Sequence, residues 1–292
     1  MDVGFIGLGR MGRPMVERLM ASGHRVHIFN RSEGPMEALS RSGAFRASSV
    51  AEVGSRSEAV LTALPTVESV MSVFAQLADV ARDGQLFSDH STVNIDTNQR
   101  CAQMLGSKGA RFLDAPVSGG PAGAVAGTLT VMVGGDSDAF DRLLPIFQAF
   151  GKNIRLCGGV GAGQAVKLVN QLLVGINTVA VAEALVFGVK LGANPQVLLE
   201  IIGSSFGGST MMTRNVPRFI SRDFSGASPV SLILKDLGII HDEAKTNGSP
   251  VILGGFAEQR FVEAAGRGWN QEDMAAVVKL YEESADTQVG GR

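Results

Sequence analysis

The sequence predicts an α/β domain with a parallel sheet over residues 1–162, followed by an all-helical domain over residues 163–292. Three observations carry that prediction. Short apolar strands alternate with helical patterns of about ten residues through the first half. No strand-like alternation returns after about residue 160. The glycine-rich CGGVGAGQ, residues 157–164, stands where the pattern changes. With 292 residues, 45% of them hydrophobic and 18% charged, the chain has material for about two packed domains.

VGFIGLG reads as an apolar strand running into glycines. MGRPMVERLMASG comes next with Met11, Met15, Val16 and Leu19 at helical spacing, closed by Gly23. RVHIFN is a strand, and PMEALSRSG a short helix with Pro35 near its start and Gly43 past its end. AVLTALP and GQLFSDHST read as strands, with the helical VESVMSVFAQLADVA between them. NIDTNQRCAQMLGSKG is helical, RFLDAPVSGG and LTVMVGG are strands, and SDAFDRLLPIFQAFG is a further helix. Beyond the boundary, helical patterns cover roughly 163–191, 196–203, 229–246, 250–266 and 271–284. GSSFGGST, residues 203–210, precedes a helix-like segment and has no assigned role, and the small, polar tail SADTQVGGR is expected to fray.

FIGLGRMG sets Gly7, Gly9 and Gly12 in a G-x-G-x-x-G spacing after a strand and before a helix. Gly7 permits the tight turn, Gly9 lets the backbone approach a pyrophosphate, and Gly12 lets helix and sheet pack closely. Free N–H groups and the positive end of the helix dipole then face the phosphates. This is the dinucleotide-binding fingerprint of a Rossmann domain, with Gly7, Leu8, Gly9, Arg10, Met11 and Gly12 forming the turn. The second strand ends at Asn30, followed by Arg31 and Ser32, where NAD-binding chains place an acidic residue. A guanidinium and a hydroxyl suit a 2′-phosphate. NADP is therefore the expected cofactor, with NAD possible through Glu33.

Composition excludes several classes. A net charge of −2 and a pI of about 6.1 provide no basic field for nucleic acid or anionic membrane. Cys101 and Cys157 lie far apart without metal-ligand spacing, so neither a disulfide nor a metal is expected, the cytoplasm is the expected compartment, and both read as inert core residues. The opening MDVGFIGLGRMG is too short and glycine-cut for a signal peptide. Leu172 to Leu191 has membrane-spanning length but contains Asn177, Glu183 and Lys190, and reads as a buried helix. His24, His27, His90 and His241 are scattered and read as structural; Trp269 and Tyr281 read as packing, and HDEAK at 241–245 as a solvated face.

GAGQAVKLVNQLL places Lys167, Asn170 and Gln171 as a polar patch on one helix face, at the mouth of an otherwise apolar helix. Buried polar groups need partners. The residues alone leave two readings open, a functional patch or a lysine reaching out to solvent. PVSGG likewise reads as an anion nest or as a tight turn.

The fingerprint, FLDAPVSGG, GAGQAVKLVNQ and LKDLG occur in that order, and with them the chain resembles the β-hydroxyacid dehydrogenases from residue 3 to about 284. These include 3-hydroxyisobutyrate dehydrogenase, tartronate semialdehyde reductase and glyoxylate/succinic semialdehyde reductases. The resemblance implies a Rossmann domain and an all-helical domain joined by a long interdomain helix, with the active site in the cleft between. It implies Lys167 as the catalytic lysine and Asn170 as the substrate-holding asparagine. Ser118, Gly119 and Gly120 would hold the substrate carboxylate. Leu64 and Pro65, Thr92, and Lys235 beside Asp236 would line the cofactor. STVNIDT lacks the proline many members carry in that loop.

The expected reaction interconverts a small β-hydroxyacid and its semialdehyde. Lys167 gives or takes the proton at the reacting oxygen. A free lysine titrates well above neutrality, and burial or a second cation such as Lys235 would lower it. A 6-phosphogluconate dehydrogenase relative would need a phosphate-binding basic cluster, for which Arg214, Arg218 and Arg222 are candidates. An NAD-dependent 3-hydroxyisobutyrate or serine-type enzyme is a further alternative. A non-catalytic nucleotide-binding module, or an imine-reducing relative, would be expected to lack Lys167. Apolar stretches such as VILGGFAEQRFVEA, 251–264, imply a homodimer or homotetramer.

Overall fold

In the computed structural model, which describes residues 1–226 and 228–291, the chain divides into two units, Met1–Leu168 and Val169–Arg292. The first unit contains strands β1 (Asp2–Ile6), β2 (Arg25–Phe29), β3 (Phe45–Arg46), β4 (Ala59–Thr62), β5 (Leu86–Asp89), β6 (Arg111–Asp114), β7 (Val117–Ser118), β8 (Leu129–Gly135) and β9 (Gly151–Gly158). They form one sheet in the order β3-β2-β1-β4-β5-β6-β8-β7, with β9 paired to β8. The strands from β3 to β6 are mutually parallel, in a register that pairs Phe5 with Ile28 and with Leu61.

The expected parallel sheet is present from β3 to β6, and one end differs, because β8 runs antiparallel to both β6 and β7. Only about ten residues separate Ser118 from Leu129, fewer than a parallel crossover requires.

Helices α1 (Gly12–Ala21), α2 (Glu33–Arg41), α3 (Val50–Arg56), α4 (Val67–Val80), α5 (Ile95–Gly106), α6 (Gly120–Ala126) and α7 (Ser137–Phe147) cover the two faces. Phe5, Leu61 and Leu113 pack on one face with Met15 and Leu19 of α1 and Leu143 of α7. Val60, Phe87 and Phe112 point to the other, against Val53 of α3, Phe74 and Leu77 of α4 and Leu105 of α5. The alternation follows from the two-residue period of a strand. Each fully buried side chain such as Phe74 or Phe87 contributes about 1.5–3 kcal/mol.

Helix α8 (Ala162–Lys190) starts in the first unit and continues into the second. The second unit adds α9 (Pro195–Gly203), α10 (Thr210–Ser221), α11 (Val230–Thr246), α12 (Ile252–Gly266), a 3₁₀ turn (Met274–Val277) and α13 (Val278–Ala285). By length and composition α8 could cross a membrane, yet its small residues pack in the unit. Gly175 abuts Leu237 of α11 and Gly188 abuts Leu198 of α9. These contacts seat one side of α8 against its neighbours, while Leu173 and Phe187 stay exposed.

Two expectations fail. Cys157 lies exposed on β9, not in a core, whereas Cys101 is fully buried and its thiol is pushed up by that burial. The tail does not fray through residue 291. Val289 is buried, its N–H donates to Glu282 Oε1 at 2.9 Å, and Gly290 lies so close to the Ile220 carbonyl that a Cβ would stand 2.2 Å from it. Arg292 lies outside the described residues.

Candidate functional site

The turn from β1 to α1 is built around its glycines. Gly7 has φ +97°, and a Cβ there would lie 2.3 Å from the Ala63 carbonyl oxygen. A Cβ on Gly12 would lie 1.9 Å from the Gly7 oxygen, so helix and turn are in backbone contact. Gly9 differs, having no heavy atom within 4 Å of its would-be Cβ. Leu8 is buried in the core and Met11 packs against it, so both serve the turn through their side chains. Arg10 is exposed. The first turn of α1 has neither a side-chain cap at Met11 nor an acidic residue. An open space at Gly9 beside an uncapped helix N-terminus fits a dinucleotide pyrophosphate.

At the end of β2, Asn30 has a role that the sequence reading missed. Its Oδ1 accepts the Leu8 N–H at 3.0 Å and its Nδ2 donates to the Ser32 carbonyl at 3.1 Å. It ties the strand end to the glycine turn. Arg31 and Ser32 are exposed. Arg31 has no ion-pair partner among the described residues, and the Ser32 hydroxyl makes no capping bond to α2. Glu33 is taken by Arg46.

Beyond β4 and β5 lies a buried polar network. Asp89 Oδ1 accepts from Thr62 Oγ1 and from Ser91 Oγ, both at 2.6 Å. Ser91 Oγ in turn accepts the Leu64 N–H at 2.9 Å, which fixes the loop of Leu64 and Pro65. Burial pushes the Asp89 carboxyl up to about 6, against the pull of the Ser91 and Thr62 bonds and with help from the Asp114 charge. Its neighbour His90 is buried edge-on to Phe147 and Phe150, and its Nδ1 pairs with the Ala115 carbonyl at 2.7 Å. Burial brings His90 down to about 4. Thr92 is half-buried just past this network.

Ser118 ends β7, and Gly119 and Gly120 come next with φ +127° and +63°. These are left-handed values that glycine adopts readily. Gly119 then caps α6 with no side chain in the way. The half-buried Ser118 and two successive glycine amides form a turn of the anion-nest type.

Lys167 lies in the second turn of α8. The start of that helix is held to the sheet by Asp114 at the end of β6. Asp114 Oδ1 accepts from Gly161 N at 2.7 Å and Oδ2 from Gln164 N at 2.8 Å. A carboxylate at this place caps the helix from a distant strand. Burial raises the Asp114 carboxyl, while the Gly161 and Gln164 bonds oppose it. Gly163 lies so near the Met132 carbonyl that a Cβ would stand 2.2 Å away. Lys167 itself is 7% exposed, so the reading of a lysine reaching out to solvent fails.

The first unit thus gathers the fingerprint, Asn30 to Ser32, Leu64, Pro65, Thr92, Ser118 to Gly120 and Lys167. The fingerprint, Asn30 to Ser32, Leu64, Pro65 and Thr92 follow the C-terminal ends of the parallel strands β1, β2, β4 and β5, the edge where open α/β sheets bind ligands, whereas Ser118 to Gly120 follow β7 and Lys167 lies on α8.

Asn170 and Lys235 belong to the second unit. There Asn170 Nδ2 donates to Gln171 Oε1 at 2.9 Å, and Gln171 Nε2 donates to Asp236 Oδ2 at 2.5 Å. The Lys235 ammonium lies 3.0 Å from Asp236 Oδ1, close enough for an ion pair but not aligned as a directed hydrogen bond. The three arginines of α10 and its end are spent internally. Arg214 grips Asp273 through two bonds of 2.8 and 2.7 Å, Arg218 bonds the Asp223 and Ser225 carbonyls, and Arg222 grips Glu282. They form no phosphate-binding cluster. Burial alone would raise Asp273, but the bonds and charge of Arg214 outweigh it and hold the carboxyl below its usual range. Among the described residues no group of His, Cys, Asp and Glu is placed to hold a metal.

Two family models cover nearly the whole chain. Residues 2–159 match the NAD binding domain of 6-phosphogluconate dehydrogenase, and residues 161–281 match the NAD-binding domain of NADP-dependent 3-hydroxyisobutyrate dehydrogenase. The chain is 39% identical to 2-(hydroxymethyl)glutarate dehydrogenase of Eubacterium barkeri, over 99% of this chain and 97% of that protein. It is 34% identical to the NAD-dependent L-serine dehydrogenase of Pseudomonas aeruginosa, over 96% of this chain and 98% of the relative. A solved structure of Mycobacterium tuberculosis 3-hydroxyisobutyrate dehydrogenase with L-serine superposes with a TM-score of 0.89 at 32% identity, covering 96% of this chain and 98% of that one.

Proposed function

The chain belongs to the β-hydroxyacid dehydrogenase family and is an NAD(P)-dependent hydroxyacid dehydrogenase, and from that premise we propose that it prefers NADP and interconverts a 2-substituted 3-hydroxypropanoate with its semialdehyde, using Lys167 as general acid and base. The substrate class comes from chemistry shared by the relatives' names. 2-(Hydroxymethyl)glutarate, 3-hydroxyisobutyrate and L-serine all carry a primary alcohol on the carbon β to a carboxylate, and differ only in the group at C2.

The bound dinucleotide accepts or supplies the hydride. Its pyrophosphate would lie on the turn of Gly7, Leu8, Gly9, Arg10, Met11 and Gly12, and Leu64, Pro65, Thr92 and Lys235 would line the rest of the cofactor. Arg31 and the uncommitted Ser32 hydroxyl would take the 2′-phosphate, and the capture of Glu33 by Arg46 disfavours a ribose-binding acid there. Ser118 and the amides of Gly119 and Gly120 hold the substrate carboxylate. Asn170 holds the reacting hydroxyl, and Lys167 moves its proton. The observation that carries this reading is the buried Lys167 on a helix whose start is clamped to the cofactor edge of the sheet by Asp114.

The test is a steady-state panel of 3-hydroxypropanoates bearing methyl, amino or carboxyethyl groups at C2, each with NADP⁺ and NAD⁺, and 6-phosphogluconate beside them. Turnover of at least one β-hydroxyacid, a higher kcat/KM with NADP⁺ and loss of activity in Lys167→Ala are expected. A fully active Lys167→Ala removes the acid/base assignment.

The helical unit exposes Leu173, Phe187 and Leu191 on and just past α8, and Ile252, Leu253 and Phe256 on α12. Apolar area of this kind on a soluble chain fits a second copy, so a homodimer or homotetramer is expected by light scattering.

A further inference from the structure

We infer that Asp236 fixes the polarity of a two-amide relay, so that Gln171 acts as a positioning residue that turns the carbonyl oxygen of Asn170 toward the reacting group. The inference rests on the reading of Asn170 as the residue that holds the substrate hydroxyl.

The two ends of an amide are nearly the same in shape and opposite in hydrogen-bonding sense, so shape alone does not orient Asn170 or Gln171. The charge on Asp236 does. Asp236 is 1% exposed and held against Lys235, and a carboxylate can only accept. Gln171, 9% exposed, must therefore give it the Nε2 end, which it does at 2.5 Å. Its Oε1 is then turned the other way and can only accept in its turn. It takes the Asn170 Nδ2 at 2.9 Å. Adjacent residues on a helix do not ordinarily face one another, so this contact requires the Gln171 side chain to be anchored elsewhere, and Asp236 is the anchor.

The chain of preferences ends at Asn170 Oδ1, the remaining acceptor. Reversing the relay would set the Gln171 carbonyl against a buried carboxylate, two acceptors facing each other. An outward acceptor complements the O–H of the bound hydroxyacid and not an aldehyde oxygen. The alcohol has one proton, so this bond orients the hydroxyl on binding and is given up when the O–H turns about its C–O bond to Lys167, the proposed base, as hydride leaves the carbon for the dinucleotide. The relay thus selects the hydroxyacid over the semialdehyde at binding and couples that choice to Lys235.

The experiment moves the carboxylate from one end of the relay to the other. Asn170→Asp alone faces the Gln171 carbonyl with a second acceptor and should lower kcat/KM for the hydroxyacid by about a hundredfold. Adding Asp236→Asn frees Gln171 to turn over, donating to residue 170 and accepting from residue 236, with an oxygen again presented outward. The double variant should therefore regain about tenfold over Asn170→Asp alone. A purely structural Asp236 predicts a double variant no better than that single one, and this result overturns the inference.

A second readout needs no turnover. In protein labelled with ¹⁵N at glutamine side chains, the Gln171 amide, assigned by its loss in Gln171→Leu, should lie downfield and should lose that shift in Asp236→Asn. An unchanged resonance also sinks the inference. A wild-type protein that turns over no β-hydroxyacid refutes the proposed function instead, and the amide spectrum still decides the relay.

Discussion

Asp89 and His90 are neighbours in the chain, both buried, and displaced in opposite directions, which makes a sharp test of the network beneath the loops that follow β4 and β5. The carboxyl of Asp89 sits at about 6 against an ordinary 3.8, so the folded state holds its proton more tightly than the unfolded chain. That contribution is complete below pH 3.8 and is lost as the pH rises through about 6. His90 is the reverse. Its imidazole sits at about 4 against 6.5, so its contribution is complete above pH 6.5 and is lost as the pH falls toward about 4. Each gap corresponds to about 3 kcal/mol.

Between about pH 4 and 6.5 the two slopes oppose, and the wild-type protein should show little net change from this pair. Asp89→Asn keeps an oxygen for the donors of Thr62 and Ser91, since all of these go to Oδ1. Relative to the wild type, it should lose about 3 kcal/mol of stability on going from pH 6.5 to 4, as only His90 then titrates. His90→Phe should gain a similar amount over the same interval. Urea unfolding followed by circular dichroism at half-unit pH steps measures both slopes. Parallel stability curves for the three proteins would refute the reasoning.

Other outcomes come from the same geometry. Gly9→Ala meets open space and should leave the urea midpoint unchanged while weakening dinucleotide binding by more than about tenfold, read by fluorescence titration. Gly12→Ala places a methyl against the Gly7 oxygen and should also cost about 1–3 kcal/mol of stability. Arg31→Ala should lower kcat/KM with NADP⁺ by at least about tenfold and leave NAD⁺ nearly untouched, since only the former carries the 2′-phosphate. Arg214→Leu strands the buried Asp273 carboxylate and should destabilise the helical unit by about 3–5 kcal/mol in urea unfolding.

The strongly periodic elements are readable from the chain because they obey one local rule each. The glycine turn, α1, the five parallel strands β1, β2, β4, β5 and β6 and the long α8 all come from apolar period and punctuation. The elements that escape depend on partners far away in sequence. The two-residue β3 and the exposed β9 offer no apolar alternation, because pairing with β2 and β8 makes them strands. The antiparallel β8 reflects a connection length that is visible only once α6 is recognised between PVSGG and LTVMVGG.

The site shows the same division. Gly7, Gly9 and Gly12 announce themselves by spacing, whereas Lys167 is singled out only by the family resemblance, the residues alone leaving its role open. Position alone gives Asn30 to the cofactor, yet its side chain binds the Leu8 amide, a contact twenty-two residues apart. Asp89, Ser91 and Asp114 carry no such signal, because a polar residue ending a strand gives no sign of which loop it will hold. The tail is soft by composition, but a single valine and one backbone amide tie it to Glu282.

The clamp between Asp114 and the head of α8 has an outcome for recombination. It is closed wholly before residue 169, so a hybrid spliced there with the helical half of a relative would inherit the amine, its capping carboxylate and the glycine turn from one parent. Asn170, Gln171 and the carboxylate at 236 would come together from the other. On the roles proposed for Lys167 and Asn170, such hybrids would take proton transfer from one parent and hydroxyl recognition from the other, with the splice at the boundary between the two units.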